Sequence, residues 1–261
     1  MDLNLAGKNA LVCGSSQGIG KAAAVELSLL GCSVTLVSRN GDRLNMALND
    51  LDTTLGQTHD YLIADIGDVL RLKREVEAEL EDKSFHILVN NTGGPPAGRL
   101  IDAGPKAFLE AFNAHLIASH MLVQLLVPGM VEDNYGRIIN ITSTTIKEPV
   151  PNLGLSNSIR AAVANWAKTL AGELGHLGIT INNVLPGSTN TERHRSLMAY
   201  NADKSGKSLS DVKETMTSTI PLRRFADPLE VGAAVAFLAS PAAGYITGIN
   251  LPVDGGRTKS L

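Results

Sequence analysis

The chain has 261 residues, 44% of them hydrophobic and 19% charged, which are ordinary values for a globular protein and exclude a disordered or collagen-like chain. Its 23 basic and 26 acidic side chains give a formal net charge of −3, which argues against a protein that binds the phosphate backbone of nucleic acids without sequence preference. Two cysteines, Cys13 and Cys32, are too few for a disulfide framework and favour a reducing compartment.

The sequence patterns also argue against export and membrane insertion. The first five residues lack the basic and apolar regions of a signal peptide. The most apolar long stretch, residues 116–131, contains Pro128, Gly129 and several polar side chains, so we expect it to be too short and too polar to cross a bilayer. These patterns predict a cytoplasmic protein with neither a membrane nor a nucleic acid as partner.

Short apolar runs rich in β-branched residues alternate with longer helical patterns along the whole chain. This alternation predicts right-handed βαβ units. We therefore expect a single α/β domain over residues 1–261, with a doubly wound (Rossmann) parallel sheet of seven strands and helices on both faces. The predicted strands are 9–13, 33–38, 60–64, 85–90, 137–141, 180–184 and 250–253. The predicted helices are 18–30, 43–55, 69–81, 105–131, 157–174 and 228–239.

The first predicted strand runs into a glycine-rich turn, and a helix follows. The spacing of its glycines is G-x-x-x-G-x-G. Glycine lets the backbone turn tightly and approach a pyrophosphate, which binds the N–H groups and the dipole at a helix N-terminus. A tight turn with a purely structural role is the alternative. The predicted dinucleotide-binding residues here are Gly14, Ser16, Gln17, Gly18, Ile19 and Gly20.

The end of the second predicted strand indicates which dinucleotide binds. NAD sites place a carboxylate there, about 20 residues after the glycine turn, on the ribose 2′-hydroxyl. Here the strand ends in Ser38 and Arg39, and the first carboxylate is Asp42. A serine and an arginine suit a 2′-phosphate, so the predicted cofactor is NADP(H). A solvent-facing Arg39 is the alternative.

Residues 187–220 interrupt the alternation of strands and helices. The segment is long and polar and follows the sixth predicted strand. Long excursions in compact domains are usually functional, so we interpret this one as a substrate lid with short helices. A tolerated surface insertion is the alternative. Its charged residues hint at an anionic group, but we interpret them as a solvated face; they include His194, Arg195, Lys204 and Lys207.

Together with Asn90-Asn91-Thr92-Gly93 after the fourth predicted strand, the glycine turn resembles the short-chain dehydrogenase/reductase family. The similarity covers nearly the whole chain and points to the branch of 3-oxoacyl-(acyl-carrier-protein) reductases and their relatives. It implies that Asp65 and Ile66 touch the adenine. It also implies cofactor contacts from Asn91, Thr92, Gly93, Pro186, Gly187, Thr189 and Thr191, the last four at the nicotinamide.

The resemblance further implies a homotetramer. In the family, the two helices predicted here at 105–131 and 157–174 form one interface, and the last strand forms another. Both predicted helices carry apolar residues on more than one face, as such interfaces require. Symmetric homo-oligomers are also the usual form of soluble assemblies.

The same resemblance locates the catalytic positions. The family uses a serine and a tyrosine at the substrate carbonyl, a lysine four residues after the tyrosine, and an asparagine on the long middle helix. Ser143 fills the serine position, whereas the tyrosine and lysine positions fall on Ser156 and Arg160. The asparagine position falls on His115, or on Asn113 if the helix register differs.

These replacements change the chemistry that the site can perform. A serine hydroxyl is a far weaker acid than a tyrosine, and Arg160 carries a fixed charge that cannot shuttle protons. An unperturbed histidine titrates near pKa 6.5, so we expect His115 to act as an acid at neutral pH, through Ser156 or a water. Structural roles are the alternatives: a helix N-cap for Ser156, a salt bridge for Arg160 and a packed helix interface for His115.

We therefore predict an NADP(H)-dependent oxidoreductase that reduces a ketone or 3-oxoacyl group, or oxidises the alcohol, without a metal ion. Ser143 would hold the carbonyl oxygen, Ser156 and His115 would relay a proton, and Arg160 would hold the ribose and stabilise the developing alkoxide. The alternative is a cofactor-binding but catalytically silent subunit or regulator, because the tyrosine and lysine are replaced.

Overall fold

The computed structural model describes residues 1–260, and within them seven parallel strands form one sheet. The strand order across the sheet is β3-β2-β1-β4-β5-β6-β7, which confirms the predicted doubly wound architecture. The strands are β1 (Asn9–Cys13), β2 (Ser33–Ser38), β3 (Asp60–Ile63), β4 (Ile87–Asn90), β5 (Gly136–Ile141), β6 (Ile179–Pro186) and β7 (Asn250–Val253).

Helices cover both faces of this sheet. The helices are α1 (Gly18–Leu29), α2 (Gly41–Leu48), α3 (Val69–Glu79), α4 (Pro105–Phe112), α5 (Ala118–Glu132), α6 (Gly154–Leu174), α7 (Glu192–Ser205), α8 (Leu209–Ser218) and α9 (Pro228–Ala239). Residues of α1, α2 and α9 form one apolar core, and residues of α3, α5 and α6 form the other.

The central strand β1 contributes to both cores. Ala10 and Val12 are buried in the core beneath α1 and α9, whereas Leu11 and Cys13 are buried in the core beneath α3, α5 and α6. Successive side chains of a strand point to opposite faces, so a strand covered on both sides reads as one continuous apolar run. This is why the sequence shows apolar runs rather than alternation.

The second helix is shorter than the sequence predicts. We expected it to reach residue 55, but α2 ends at Leu48. The carboxylate of Asp52 accepts hydrogen bonds from the backbone and side chain of Thr54 and from the side chain of Gln57. Aspartate bonds of this kind compete with helical hydrogen bonds, so the chain turns instead.

The middle helix agrees with its predicted bounds to within one residue. From Pro105 to Glu132 it runs for 28 residues through α4, a π-helical turn (Asn113–Ile117) and α5, and it is long and apolar enough to cross a membrane. Our expectation concerned residues 116–131 alone, and one such helix is weak evidence for a membrane span, because the buried core helix of a globular protein passes the same test. In the fold its buried side chains, including Leu122, Leu126 and Met130, belong to the core beneath the sheet, which accounts for its apolar character.

The topology places a cleft at the carboxyl edge of the sheet. Strand β1 lies between β2 and β4, so the chain leaves β1 and β4 in opposite directions. Ligands of open α/β sheets bind at such a switch point, outside the carboxyl ends of the strands. The predicted site residues follow those strand ends.

Candidate active site

A glycine-rich turn lies between β1 and α1, and a side chain from the segment after β4 holds it. Gly14 and Gly18 have φ angles of +59° and +60°, which L side chains rarely adopt. A Cβ atom on Gly20 would lie 2.3 Å from the carbonyl oxygen of Gly14. The amide of Asn91 donates to the carbonyl oxygens of Cys13 and Gly14 at 3.2 and 3.1 Å. The turn therefore needs glycine at these positions.

This turn fits the pyrophosphate of a dinucleotide. Helix α1 begins at Gly18, and its N-cap, Gln17, makes no side-chain capping bond. The first-turn N–H groups are thus left for an acceptor outside the helix, the arrangement that binds phosphates. Ile19 packs on the core below, and Ser16 is half-buried in the turn. The residues present fit the predicted cofactor.

Two arginines border the glycine turn on the side of β2. The Arg39 side chain is 78% exposed and lies 3.7 Å from the Asp65 carboxylate. Arg43 donates to the side-chain oxygen of Gln17 and lies 3.4 Å from the carboxylate of Glu192 on the lid segment. Sequence reasoning named Arg39 and missed Arg43, whose proximity to the turn depends on the start of α2.

The residue pair after β3 and the segment after β4 meet in one pocket. Ile66, Asn91 and Thr92 line it together with His115 and Arg160. The side chain of Asp65, beside this pair, accepts from the backbone of residue 67 at 2.9 Å. The fold thus brings predicted adenine, ribose and catalytic residues to one edge of the sheet.

The segment after β6 covers the glycine turn. Pro186 is the last residue of β6, and the Thr189 hydroxyl donates to the Gly187 carbonyl oxygen at 3.2 Å. Thr191 caps α7, and its methyl carbon lies 3.4 Å from the position that a Cβ on Gly18 would occupy. Thr191 therefore lies against the cofactor turn, and α7 and α8 supply the predicted short helices.

Arg160 contacts Ser156 and the backbone just before Ser143, the two predicted catalytic serines. One terminal nitrogen of its guanidinium donates to the carbonyl oxygens of Ile141 and Thr142 at 2.9 and 2.7 Å, immediately before Ser143. Its Nε donates to Ser156 Oγ at 3.2 Å. Helix α6 places Ser156 and Arg160 four residues apart on one face. Ser143 Oγ accepts from the backbone at 3.2 Å, so its own proton is free for another acceptor.

These contacts contradict the structural alternatives for both residues. Ser156 lies inside the first turn of α6, which begins at Gly154, so it is not the N-cap. Among the described residues, no carboxylate lies within 4 Å of Arg160. Burial, and then the charge of Arg193, lower the pKa of Arg160 to about 10, so it stays cationic at neutral pH.

His115 lies in the π-helical turn and faces the same pocket. It is buried, whereas Asn113, the alternative position, is exposed, so the structure brings His115 and not Asn113 to Arg160. Single π-helical turns inside α-helices are frequent at functional sites. Among the described residues, its Nε2 atom has no hydrogen-bond partner. The surrounding cavity of about 20 Å³ has room for one water molecule.

The environment of His115 keeps its imidazole neutral. Burial and then the charge of Arg160 together lower the pKa of His115 to about 3. Our expectation of a histidine that titrates near neutral pH was therefore wrong. A neutral imidazole still accepts a proton at one nitrogen and donates one from the other.

Four asparagines form a ladder beneath the site, which sequence reasoning missed. The amide nitrogen of Asn90 donates to the Asn140 side-chain oxygen at 2.9 Å, Asn140 donates to Asn183 at 2.9 Å, and Asn183 donates to Asn250 at 2.8 Å. The four residues are register partners on β4, β5, β6 and β7. Their only sequence signal is an asparagine within each of four successive strands.

Comparisons with known proteins agree with this fold. The family model described as "Enoyl-(Acyl carrier protein) reductase" matches residues 14–258. The chain is 34% identical to the 3-oxoacyl-[acyl-carrier-protein] reductase FabG of Vibrio harveyi, over 97% of this chain and 98% of that protein. It is 28% identical to the NADPH-dependent reductase BacG of Bacillus subtilis (strain 168), over 97% of this chain and 99% of that protein. The crystal structure of L-sorbose reductase from Gluconobacter frateurii, complexed with NADPH and L-sorbose, is 29% identical and superposes with a TM-score of 0.93 over the full length of both chains.

Proposed function

The chain belongs to the short-chain dehydrogenase/reductase family, and from that premise we propose that it is an NADP(H)-dependent oxidoreductase that reduces a ketone or 3-oxoacyl group, or oxidises the alcohol. The observation that carries this proposal is the contact of one guanidinium, that of Arg160, with both Ser156 and the backbone before Ser143. These groups lie on the same pocket edge as the cofactor turn.

The proposed roles divide the reaction between two hydroxyls and one cation. When bound, the nicotinamide supplies the hydride. Ser143 donates a hydrogen bond to the substrate oxygen and Ser156 transfers its hydroxyl proton to it, because the hydrogen bond from the backbone or from Arg160 occupies the lone-pair side of each Oγ. The fixed charge of Arg160 stabilises negative charge as it develops on that oxygen. Its remaining terminal nitrogen lies beside Gly94, in the loop after β4.

The proton lost from Ser156 is replaced through the small cavity beside His115. The neutral imidazole accepts a proton from solvent at one nitrogen and releases one from the other, without a stable imidazolium. In this role His115 relays protons and Arg160 holds charge. Neither residue takes the place of a tyrosine acid by itself.

Arg39 and Arg43 support the preference for NADP(H). Both guanidinium groups lie beside the glycine turn, where a carboxylate would select the 2′-hydroxyl of NAD. Residues 187–220 form the proposed substrate lid, with Thr191 over the turn and Glu192 in contact with Arg43. Closure of this segment over bound substrate would exclude water from the reacting carbon.

Rapid mixing of NADPH-loaded protein with a panel of ketones, acyl thioesters and oxo acids tests the proposed function. We expect nicotinamide oxidation with at least one compound, and a loss of most of that rate in Ser143→Ala. The matched control is Ser158→Ala on the exposed face of α6, which should leave the rate unchanged. Binding of NADPH without oxidation by any compound would contradict the proposal.

The serine at 156 and the arginine at 160, in place of the tyrosine and lysine of the family pattern, favour a second candidate: a catalytically silent subunit or regulator that binds the cofactor. The observation behind it is that Ser156 and Arg160 stand where relatives carry the proton donor and its lysine, while His115 stays neutral. The double variant Ser156→Tyr, Arg160→Lys separates the two candidates. Activity that appears only in the double variant supports the catalytically silent subunit. Activity in the natural chain rejects that candidate.

We also propose a homotetramer in the cytoplasm. Leu109, Phe112 and Ile117 are exposed on the helix whose counterpart forms an interface in the family, with exposed fractions of 64%, 37% and 39%. Both cysteines are free and buried, which is consistent with a reducing compartment. Sedimentation of a monomer at micromolar concentration would contradict the tetramer.

A further inference from the structure

Two guanidinium groups face each other across Gly94, in the loop after β4. A Cβ atom on Gly94 would lie 2.9 Å from a terminal nitrogen of Arg193 and 3.2 Å from a terminal nitrogen of Arg160. The two nitrogens therefore lie within about 6 Å of each other. Arg193 belongs to the first turn of α7, so a lid residue and a catalytic-site residue meet at this point.

Neither cation has a carboxylate partner among residues 1–260. The Arg193 nitrogen donates to the carbonyl oxygen of Pro95 at 2.9 Å, and Arg160 donates to backbone oxygens and to Ser156. By contrast, Arg224 is bound by both carboxylate oxygens of Glu230 at 2.6 Å. Two neighbouring positive charges repel each other. An anion bound between them would attract both and so offset that repulsion.

The position of the pair identifies what the anion belongs to. Arg160 also contacts Ser156, which we place at the reacting oxygen, so an anion between Arg160 and Arg193 lies close to the reacting carbon. The unpartnered Nε2 belongs to the buried His115, which lines a pocket together with Arg160. Guanidinium groups bind carboxylates through paired hydrogen bonds, and the absence of a side chain on Gly94 lets both guanidinium groups approach the backbone at this point.

We propose that Arg193 and Arg160 form a subsite for a carboxylate of the substrate, which makes the substrate a free oxo acid or the corresponding hydroxy acid. This inference rests on the proposed function and narrows its substrate class. The phosphate of a carrier arm lies a long chain away from its thioester carbonyl and does not fit an anion site beside the reacting carbon. The carboxylate therefore belongs to the small molecule itself.

The test compares 2-oxo and 3-oxo acids with their ethyl esters. We expect the natural chain to prefer each acid over its ester in kcat/KM. Arg193→Gln should lower kcat/KM for the acids by about 10- to 100-fold, the effect of one charged hydrogen bond, and should leave the esters unchanged. Arg193→Lys, which keeps the charge, should recover part of the loss. Arg195→Gln is the matched control, because it removes the same charge from the same helix, two residues away and on the exposed surface.

Equilibrium binding gives a second readout that does not need turnover. Butyrate, added to the NADPH-loaded protein and followed by nicotinamide fluorescence, should bind more tightly than butyramide, and Arg193→Gln should remove the difference. The affinity for NADPH itself should not change. A parallel loss of NADPH affinity would assign the anion to the cofactor phosphates and overturn the inference.

The remaining outcomes separate this inference from the proposed function. If esters react as well as acids, or if Arg193→Gln lowers both equally, Arg193 only supports the loop at Pro95, and the inference fails while the oxidoreductase stands. If a ketone or thioester of the wider panel oxidises NADPH but no oxo acid does, the inference fails and the oxidoreductase stands; if no compound of the panel oxidises NADPH, the proposed function fails. In that case, preferential binding of butyrate through Arg193 would still support the subsite, and equal binding of the amide would reject it.

Discussion

The Nε atom of Arg160 donates a hydrogen bond to the hydroxyl oxygen of Ser156 at 3.2 Å. The bond joins the two residues that stand at the tyrosine and lysine positions of the family. It directs the lone pairs of the serine toward the cation and leaves the serine proton for an acceptor in the pocket. The cation stabilises negative charge on the Ser156 oxygen in the same sense as a cation beside a phenol, but it acts on a hydroxyl that is a far weaker acid.

Replacing Arg160 by lysine is expected to lower kcat by about 10-fold or more, because one ammonium group cannot maintain the fork of contacts to two carbonyl oxygens and Ser156. Single-turnover oxidation of NADPH with the best substrate of the panel measures the effect. Arg74→Lys on the exposed face of α3 is the control and should be neutral. An unchanged kcat in Arg160→Lys would show that the guanidinium geometry is dispensable.

Arg39→Ala and Arg43→Ala are each expected to weaken NADPH binding by about 10-fold and to leave NADH binding unchanged, because each removes a cation from the proposed 2′-phosphate site. Fluorescence titration of both nucleotides at matched salt measures the two affinities. Arg71→Ala, on the exposed face of α3, controls for the loss of one positive charge. Equal losses for the two nucleotides would place the arginines elsewhere on the cofactor.

The neutral state of His115 predicts a pH dependence of stability. Its pKa is about 3 in the folded chain and about 6.5 when unfolded, so below pH 6.5 the unfolded state binds a proton that the folded state does not. Above pH 6.5 His115 is neutral in both states and does not lower the free energy of unfolding. Below pH 6.5 its protonation in the unfolded state lowers the free energy of unfolding by about 1.4 kcal/mol per pH unit toward pH 3.

Urea unfolding of the natural chain and His115→Asn at pH 7.5 and 5.5 measures this effect. The variant should lose about 1.4 kcal/mol less than the natural chain between these pH values, since other histidines are common to both. His176→Asn, at an exposed position, should behave like the natural chain. Equal losses in all three proteins would mean that His115 is protonated in the folded state.

The sequence predicts the features of this molecule that depend on neighbouring residues. The apolar runs of β1 and β5, and the spacing of Gly14, Gly18 and Gly20, are local patterns that follow from backbone sterics and burial. These patterns were enough to predict the sheet and the cofactor turn, and to identify the family resemblance that locates Ser143. The positions of Ser156 and Arg160 followed from counting residues along one helix.

What the sequence could not predict depends on contacts between distant segments. The meeting of Arg160 and Arg193 across Gly94 needs the relative placement of α6, α7 and the loop after β4. The low pKa of His115 comes from burial, which a residue type does not reveal. The early end of α2 comes from hydrogen bonds of one aspartate, Asp52, that compete with the helix.

The asparagine ladder supplies the last prediction. Asn140 is 1% exposed, accepts from Asn90 and donates to Asn183, so its replacement by leucine leaves two buried amide groups without partners. An unsatisfied buried polar group costs about 1–3 kcal/mol, and we expect Asn140→Leu to lower the free energy of unfolding by about 2–4 kcal/mol. Leucine has the branching of asparagine, so the loss reports hydrogen bonding rather than shape.

Urea unfolding monitored by circular dichroism measures the difference, and Asn250→Ala is the matched control. Asn250 ends the same ladder on the edge strand β7 and is exposed, so water replaces its contact with Asn183, and the loss should stay below about 1 kcal/mol. Because Asn90 and Asn140 also line the pocket beside His115, Asn140→Leu should lower kcat as well as stability. An Asn140→Leu protein that unfolds at the same urea concentration as the natural chain would show that the ladder does not stabilise the sheet beneath the site.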